Sequence, residues 1–194
     1  MFSDLTNKRV LITGSTAGIG LATAALFAQH GAKVGINGMR SEAPAEVAAF
    51  PGECAFFSAD LSRSAGCEAL VEAFVARFGG IDILINNAGG PPPGDFRNWD
   101  REDWIKAVDA NMLTGIFLIK AVVDGMIERK FGLIVNITSA AVNSPIDIRG
   151  LSNGARAGLT GFCAGISRKT AVHNVTINNI LPGPFATDRF HSNI

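Results

Sequence analysis

"TGSTAGIG", residues 13–20, follows the apolar run "RVLI" at 9–12 and opens into "GIGLATAALFAQHG" at 18–31. Glycines at 14, 18 and 20 make a bend without Cβ atoms, let a pyrophosphate come close to the backbone, and deliver that anion to the N-terminus of the following helix. A tight turn with no ligand explains one such glycine better than three at the first strand of a chain. The stretch therefore predicts a dinucleotide site, although its G-x-x-x-G-x-G spacing differs from the commoner G-x-G-x-x-G.

Outward from that turn, short β-rich runs alternate with helix-period segments to the end of the chain. "RVLITG" (9–14), "AKVGIN" (32–37), "CAFFSAD" (54–60), "DILINNAG" (82–89), "GLIVNITS" (132–139) and "VTINNIL" (175–181) are the candidate strands. Nearly continuous apolar character in several of them argues for burial on both faces. The alternation predicts an α/β fold: a Rossmann-like doubly wound parallel sheet flanked by helices on both faces. After Ser62, Leu70, Phe74 and Phe78 repeat at four-residue spacing beside Val71 and Val75, which predicts a core-facing helix. At "WDREDW" (99–104) Asp100 is placed to cap a helix, with Asp103 three residues on, and the helix is expected to run through Val108, Met112, Ile116, Ile119 and Val123. "GGPPPG" (89–94) reads as a rigid loop at a strand's carboxyl end, where open α/β sheets bind their ligands.

The totals agree with one domain spanning 1–194. Apolar residues make up 47% and charged residues 18%, so the interior is well supplied and the sparsely charged surface hints at subunit contacts. Seventeen basic and seventeen acidic side chains cancel, so neither nucleic acid nor a membrane surface is the expected partner. A small molecule is. Cys54, Cys67 and Cys163 lack metal-ligand or redox spacing and read as core packing in a reducing compartment. His30, His173 and His191 are scattered, and no metal site is expected. The N-terminal apolar run is only a strand long, neither a signal peptide nor a span, so a cytoplasmic location is expected.

"TGSTAGIG", "DL" at 60–61, "NNAG" at 86–89, Asn111 in the long helix, "ITS" at 137–139 and "PGPFAT" at 182–187 occur in the order seen in short-chain dehydrogenases/reductases. The chain resembles that family over its whole length, and within it the 3-oxoacyl-carrier-protein reductase type. The resemblance implies an oxidoreductase that interconverts carbonyl and hydroxyl groups with a nicotinamide cofactor, as a homo-tetramer or homo-dimer, with a small carbonyl or alcohol substrate. It implies that Gly14, Ser15, Gly18, Ile19 and Gly20 wrap the diphosphate, that Asp60 and Leu61 contact the adenine, and that Asn87, Ala88 and Gly89 flank the ribose. Thr187 would hold the carboxamide or phosphate. The asparagines of "NNAG" can also simply tie strands together. At the end of the second strand, "INGMR" (36–40) offers Arg40 and no acid, which favours a 2′-phosphate and hence NADP over NAD. Arg40 as a solvated loop charge is the plainer alternative.

One part of the family pattern fails. A serine, a tyrosine thirteen residues on and a lysine four beyond carry the family's chemistry. Ser139 is present, but Ser152 and Arg156 occupy the other two places, and the chain has no tyrosine at all. Tyrosine, with a pKa of about 10, can give a proton to a developing alkoxide, whereas an aliphatic hydroxyl lies nearer water's value of about 15.7. Arginine does not give up its proton in proteins. The expectation is that Ser139 orients a carbonyl, Arg156 supplies positive charge, and a water near Ser152, aided by Asn111, delivers the proton. Ser152 and Asn153 as mere start and cap of a helix is the competing reading, and a catalytically silent nucleotide-binding sensor or assembly subunit is the competing function. Related chains continue past the "PG" turn into a flap and a last strand, in which substrate choice would be written; either the sequence omits that part or the substrate pocket is open.

Overall fold

The computed structural model describes residues 5–187. Six parallel strands stand in the order β3-β2-β1-β4-β5-β6: β1 (Arg9–Ile12), β2 (Lys33–Gly38), β3 (Cys54–Ser58), β4 (Ile83–Asn86), β5 (Gly132–Ile137) and β6 (Val175–Ile180). Each expected strand forms, with its end moved. β1 stops at Ile12, before the glycine turn, and β4 stops at Asn86, so that "NAGG" (87–90) forms a loop at the sheet's carboxyl edge. The strand order reverses between β1 and β4, where Ile12 pairs with both Ile36 and Ile85, and a crevice opens at such a reversal.

Among the described residues five α-helices cover the sheet: α1 (Gly18–Gln29), α2 (Ser64–Phe78), α3 (Arg101–Val108), α4 (Thr114–Glu128) and α5 (Gly150–Ala171). Alternation along β1 sorts the two cores. Val10 and Ile12 face α1 with Ala24, Ala28, Val34 and Ile36, while Leu11 faces the other side with Leu84, Ile134, Phe74, Leu118 and Leu159. Helices thus cover both faces, as expected. On α2 the stripe holds for Leu70, Val71, Phe74 and Phe78, but Val75 is 40% exposed, one step past the buried arc.

The long helix departs from expectation. Asp100 caps α3 through the amides of Glu102 and Asp103, and Asp103 reaches back to the Asp100 amide, a full capping box. A π-turn at Asp109–Leu113 then interrupts the run. Its wider winding shifts the buried stripe to Asn111, Thr114, Gly115, Leu118, Ile119, Val122 and Met126, so Met112, Ile116 and Val123 are only partly buried. The Thr114 hydroxyl bonds both the Asp109 carbonyl at 2.9 Å and the Leu61 carbonyl at 2.8 Å, fixing the turn against the chain after β3. The segment Arg101–Glu128 has the length and hydropathy of a membrane span, yet α4 packs on α2 and α5 as a core helix.

Candidate functional site

The crevice at the β1/β4 reversal is a cleft of about 360 Å³. Loops after β1, β4, β5 and β6 and the first turns of α5 line it.

Its floor is the glycine turn. Gly14 has φ +52°, and a Cβ there would lie 2.6 Å from the Asn87 carbonyl oxygen; a Cβ on Gly20 would collide with the Gly14 carbonyl. Both glycines are required by close approach. Asn87 clamps the bend: its Nδ2 donates to the Gly14 carbonyl at 2.8 Å and its backbone amide donates to the Thr13 hydroxyl oxygen at 3.0 Å, while the Thr13 hydroxyl donates to the Asn87 carbonyl at 2.9 Å. Above this floor α1 begins without a side-chain cap and without an acid in its first turn, so its leading amides are open to an anion. A diphosphate fits this cradle: glycine-lined, uncapped and, among the described residues, without carboxylates.

Of the residues expected at the site, Gly14, Gly18, Ile19, Asn87, Ala88, Gly89, Ser139, Ser152, Arg156 and Thr187 line the one cleft. The others do not. Ser15 is wholly buried, its hydroxyl donating to the Ile12 carbonyl at 2.7 Å and accepting from the Asn37 amide at 2.9 Å, so it braces β1 against β2. Gly20 lies beneath the turn. Arg40 is exposed, directly after Met39 at the end of β2. Asp60 is exposed and accepts from the Ser62 amide at 2.9 Å, a bond that holds its carboxyl below the usual range. Leu61 packs against the larger core. His191 lies outside the described residues.

The "NNAG" asparagines do tie strands. Asn86 Nδ2 donates to Asn136 Oδ1 at 2.8 Å, and Asn136 Nδ2 donates to Asn179 Oδ1 at 2.9 Å, a ladder across β4, β5 and β6.

Ser139 begins a short turn after β5, and its hydroxyl accepts from the Ala141 amide at 3.2 Å. Ser152 is not a cap: α5 starts at Gly150 with Arg149 as its N-cap, which puts Ser152 inside the first turn, 6% exposed. Arg156, 8% exposed, lies one turn further on. Its Nη1 donates to the carbonyls of Ile137 (2.7 Å) and Thr138 (3.0 Å), and its Nη2 donates to the Ala88 carbonyl (3.2 Å). The guanidinium therefore bridges the chain ends after β4 and β5 while also facing the cleft. Asn111 sits beside a separate void of about 20 Å³ that Asn86 and Arg156 also line. Its Oδ1 and that of Asn86 are buried without partners. Roughly 10–15 Å³ suffices for one water, and two orphaned acceptors match a water's two donors.

Sequence reading missed Thr16, Ala17, Arg149 and Gly183 among the cleft residues. For Arg149 the signal was present, since a residue three before Ser152 shares its helix face. Cys67 and Cys163 are buried thiols, each pushed up to about 11 by burial, and Cys54 is partly exposed.

Known proteins share this architecture. A family model described as short chain dehydrogenase matches residues 8–193. The chain is 33% identical to a 3-oxoacyl-[acyl-carrier-protein] reductase of Chlamydia muridarum, over 97% of this chain and 78% of that protein. It is 36% identical to the Synechocystis protein of the same name, covering 95% and 76%. Among solved structures, an NADH-dependent reductase complexed with NAD superposes with a TM-score of 0.87 at 33% identity, over 96% of this chain and 82% of that one. A putative short-chain alcohol dehydrogenase from Sinorhizobium meliloti gives 0.90 at 29% identity, covering 95% and 75%.

Proposed function

The chain belongs to the short-chain dehydrogenase family of oxidoreductases, and from that premise we propose that it is an NADP(H)-dependent reductase of a small carbonyl compound that obtains its proton from water. The observation that carries this reading is that the uncapped N-terminus of α1 and the trio Ser139, Ser152 and Arg156 open into one cleft. The nicotinamide cofactor, when bound, supplies the hydride that reduces a carbonyl carbon.

The residues divide the remaining work. Backbone amides from Thr16 to Ile19 would hold the diphosphate, that of Ser15 being bound to the Asn37 carbonyl at 2.9 Å, and Asn87, Ala88 and Gly89 would border the ribose, with Thr187 close to Gly18. Arg40 stands at the end of β2 with no acid between Gly38 and Arg40, the arrangement that suits a 2′-phosphate. NADP is accordingly preferred here, even though the reductase of the solved complex carries NAD. The Ser139 hydroxyl orients the carbonyl oxygen. Arg156 places a fixed positive charge beside the oxygen as negative charge develops on it, the electrostatic half of what a lysine would do. Ser152 is a ring shorter than tyrosine and leaves room for the water that gives the proton, while the void beside Asn111 and Asn86 holds a second water next to Arg156. Losing a dedicated general acid costs about 10²–10⁴ in rate, so slow turnover is expected. The protein would work in the cytoplasm as a homo-tetramer or homo-dimer.

A silent nucleotide-binding sensor or assembly subunit is the second reading, favoured by one observation: neither the tyrosine nor the lysine of the family is present. NADPH oxidation measured with a panel of oxoacyl and small keto substrates separates the two. The wild type should turn over at least one of them slowly; no turnover by the wild type beside clear activity in Ser152→Tyr/Arg156→Lys would overturn the reductase in favour of the sensor.

A further inference from the structure

Among the described residues the substrate end of the cleft is lined by two arginines and by no acid, and from this we infer that the carbonyl compound it takes carries a carboxylate close to its carbonyl, a short oxo acid, with Arg149 as the carboxylate's partner. This rests on the reading of the cleft as a cofactor and carbonyl site.

Arg149, Ser152 and Arg156 follow one another at spacings of three and four, so they rise along one face of α5, the face that meets the cleft. Arg149 is partly buried, and its side chain makes no hydrogen bond or ion pair with another described residue. Asp147, two residues before it, forms no ion pair with it and accepts instead from the Ile148 amide at 2.7 Å. Ser152 is 6% exposed with its hydroxyl likewise without a partner among the described residues. The oxygen itself is not sealed off but opens to the cleft, where an entering ligand can supply its hydrogen bond. The start of α5 adds no side-chain cap and no acid in its first turn.

A neutral ketone would answer only the hydroxyl. A carboxylate answers the guanidinium and the helix start as well, through charge-assisted bonds that arginine's forked donors make in pairs. The cofactor's diphosphate has its own donors at α1, which leaves Arg149 for a second anion. Along α5, Arg149 stands about 4.5 Å from Ser152 in axial rise, at roughly 1.5 Å per residue. Neighbouring carboxylate and carbonyl groups of an oxo acid therefore fall on neighbouring side chains. A carbonyl activated by an adjacent carboxyl group also accepts electrons more readily than a simple ketone, which eases the want of a strong acid in the wall.

The test uses the full chain with saturating NADP⁺, and NAD⁺ in parallel, so that ligand binds without being reduced. Calorimetry compares pyruvate with pyruvamide and 3-oxobutanoate with 3-oxobutanamide. At least one acid should bind about tenfold or more tightly than its amide, as one charge-assisted pair provides. Arg149→Gln should erase that preference and Arg149→Lys keep part of it. Bound cofactor with acids and amides of equal affinity, or a preference that survives Arg149→Gln, would overturn the carboxylate while leaving the cofactor site standing. Neither dinucleotide binding would overturn both, and the wild-type comparison of acid with amide stands whatever happens to the variants' folding.

Discussion

Arg156 offers the sharpest test of how this site is built, because its guanidinium is committed to three backbone carbonyls at 2.7, 3.0 and 3.2 Å. Replacing it by methionine keeps an unbranched stem and removes every donor. Each hydrogen bond to a charged group is worth about 1.5–3 kcal/mol, so three amount to roughly 4.5–9 kcal/mol. Against this, removing a buried cation returns a desolvation cost of several kcal/mol. The carbonyls border a cleft and regain some water, which leaves a net loss of about 2–4 kcal/mol. For a chain of this size that lowers the thermal midpoint by roughly 4–16 °C at about 2–4 °C per kcal/mol. Arg156→Lys should fall about halfway, because one ammonium cannot span the Ala88 carbonyl on the β4 side and the Ile137 and Thr138 carbonyls on the β5 side. Urea unfolding of the three proteins at pH 7 measures the series. A methionine variant within about 0.5 kcal/mol of wild type, the range of an ordinary surface change, would refute the role of Arg156 as a bridge between strand ends.

Arg9 grips Asp82 with its Nε at 2.9 Å, its Nη2 at 2.6 Å and its own amide at 3.0 Å, and although burial pushes the Asp82 carboxyl up, these bonds hold it below the usual range. Its contribution to stability is complete above the unfolded carboxyl's pKa of about 3.9 and is lost as the pH falls through the lower folded value. Asp82→Asn should therefore destabilise by about 2–4 kcal/mol at pH 7, and the gap from wild type should narrow in acid denaturation curves; a gap that stays constant would discount the pair. Iodoacetamide with mass mapping should label Cys54 in the native protein and reach Cys67 and Cys163, whose buried thiols stay protonated at neutral pH, only after unfolding. Arg40→Asp should weaken NADPH about tenfold or more relative to NADH in fluorescence titrations, and unchanged relative affinity would remove Arg40 from cofactor choice.

The fold was legible because burial on both faces writes itself into sequence. "RVLI" and "ILIN" read as strands since almost every side chain in them faces one core or the other, and the alternation of such runs with helices leaves few topologies. The turn "TGSTAGIG" was legible for a related reason: where a Cβ would strike Asn87 or the opposite backbone, only glycine remains. Three things were not legible. The π-turn at 109–113 depends on a hydroxyl, that of Thr114, finding a carbonyl fifty-three residues away, which periodicity does not encode. Ser15 looked like a phosphate ligand by position, but its rotation into the sheet is decided by the neighbouring strand's Asn37 amide. Arg149 in "DIRGLSNGAR" borders the cleft because α5 starts at Gly150 with Arg149 as its N-cap, a boundary that no capping side chain marks in the sequence.

Those two positions also constrain each other. A lysine at 156 would bring a mobile ammonium whose donors are available to whatever enters the cleft, and a tyrosine at 152 would use that charge to lower its own pKa. With arginine in its place, three donors are spent on carbonyls of the chain itself, so the charge is retained but held fixed. A fixed charge still stabilises an oxyanion, yet it has little to offer a serine, whose pKa starts too far above neutrality for one cation to bring it into range. The same substitution that turns residue 156 into a strut therefore makes a phenol at 152 less useful than it would be beside lysine. On this argument the two replacements form a single change, in which the proton is left to water and the wall to electrostatics, and restoring either residue alone should recover less than restoring both.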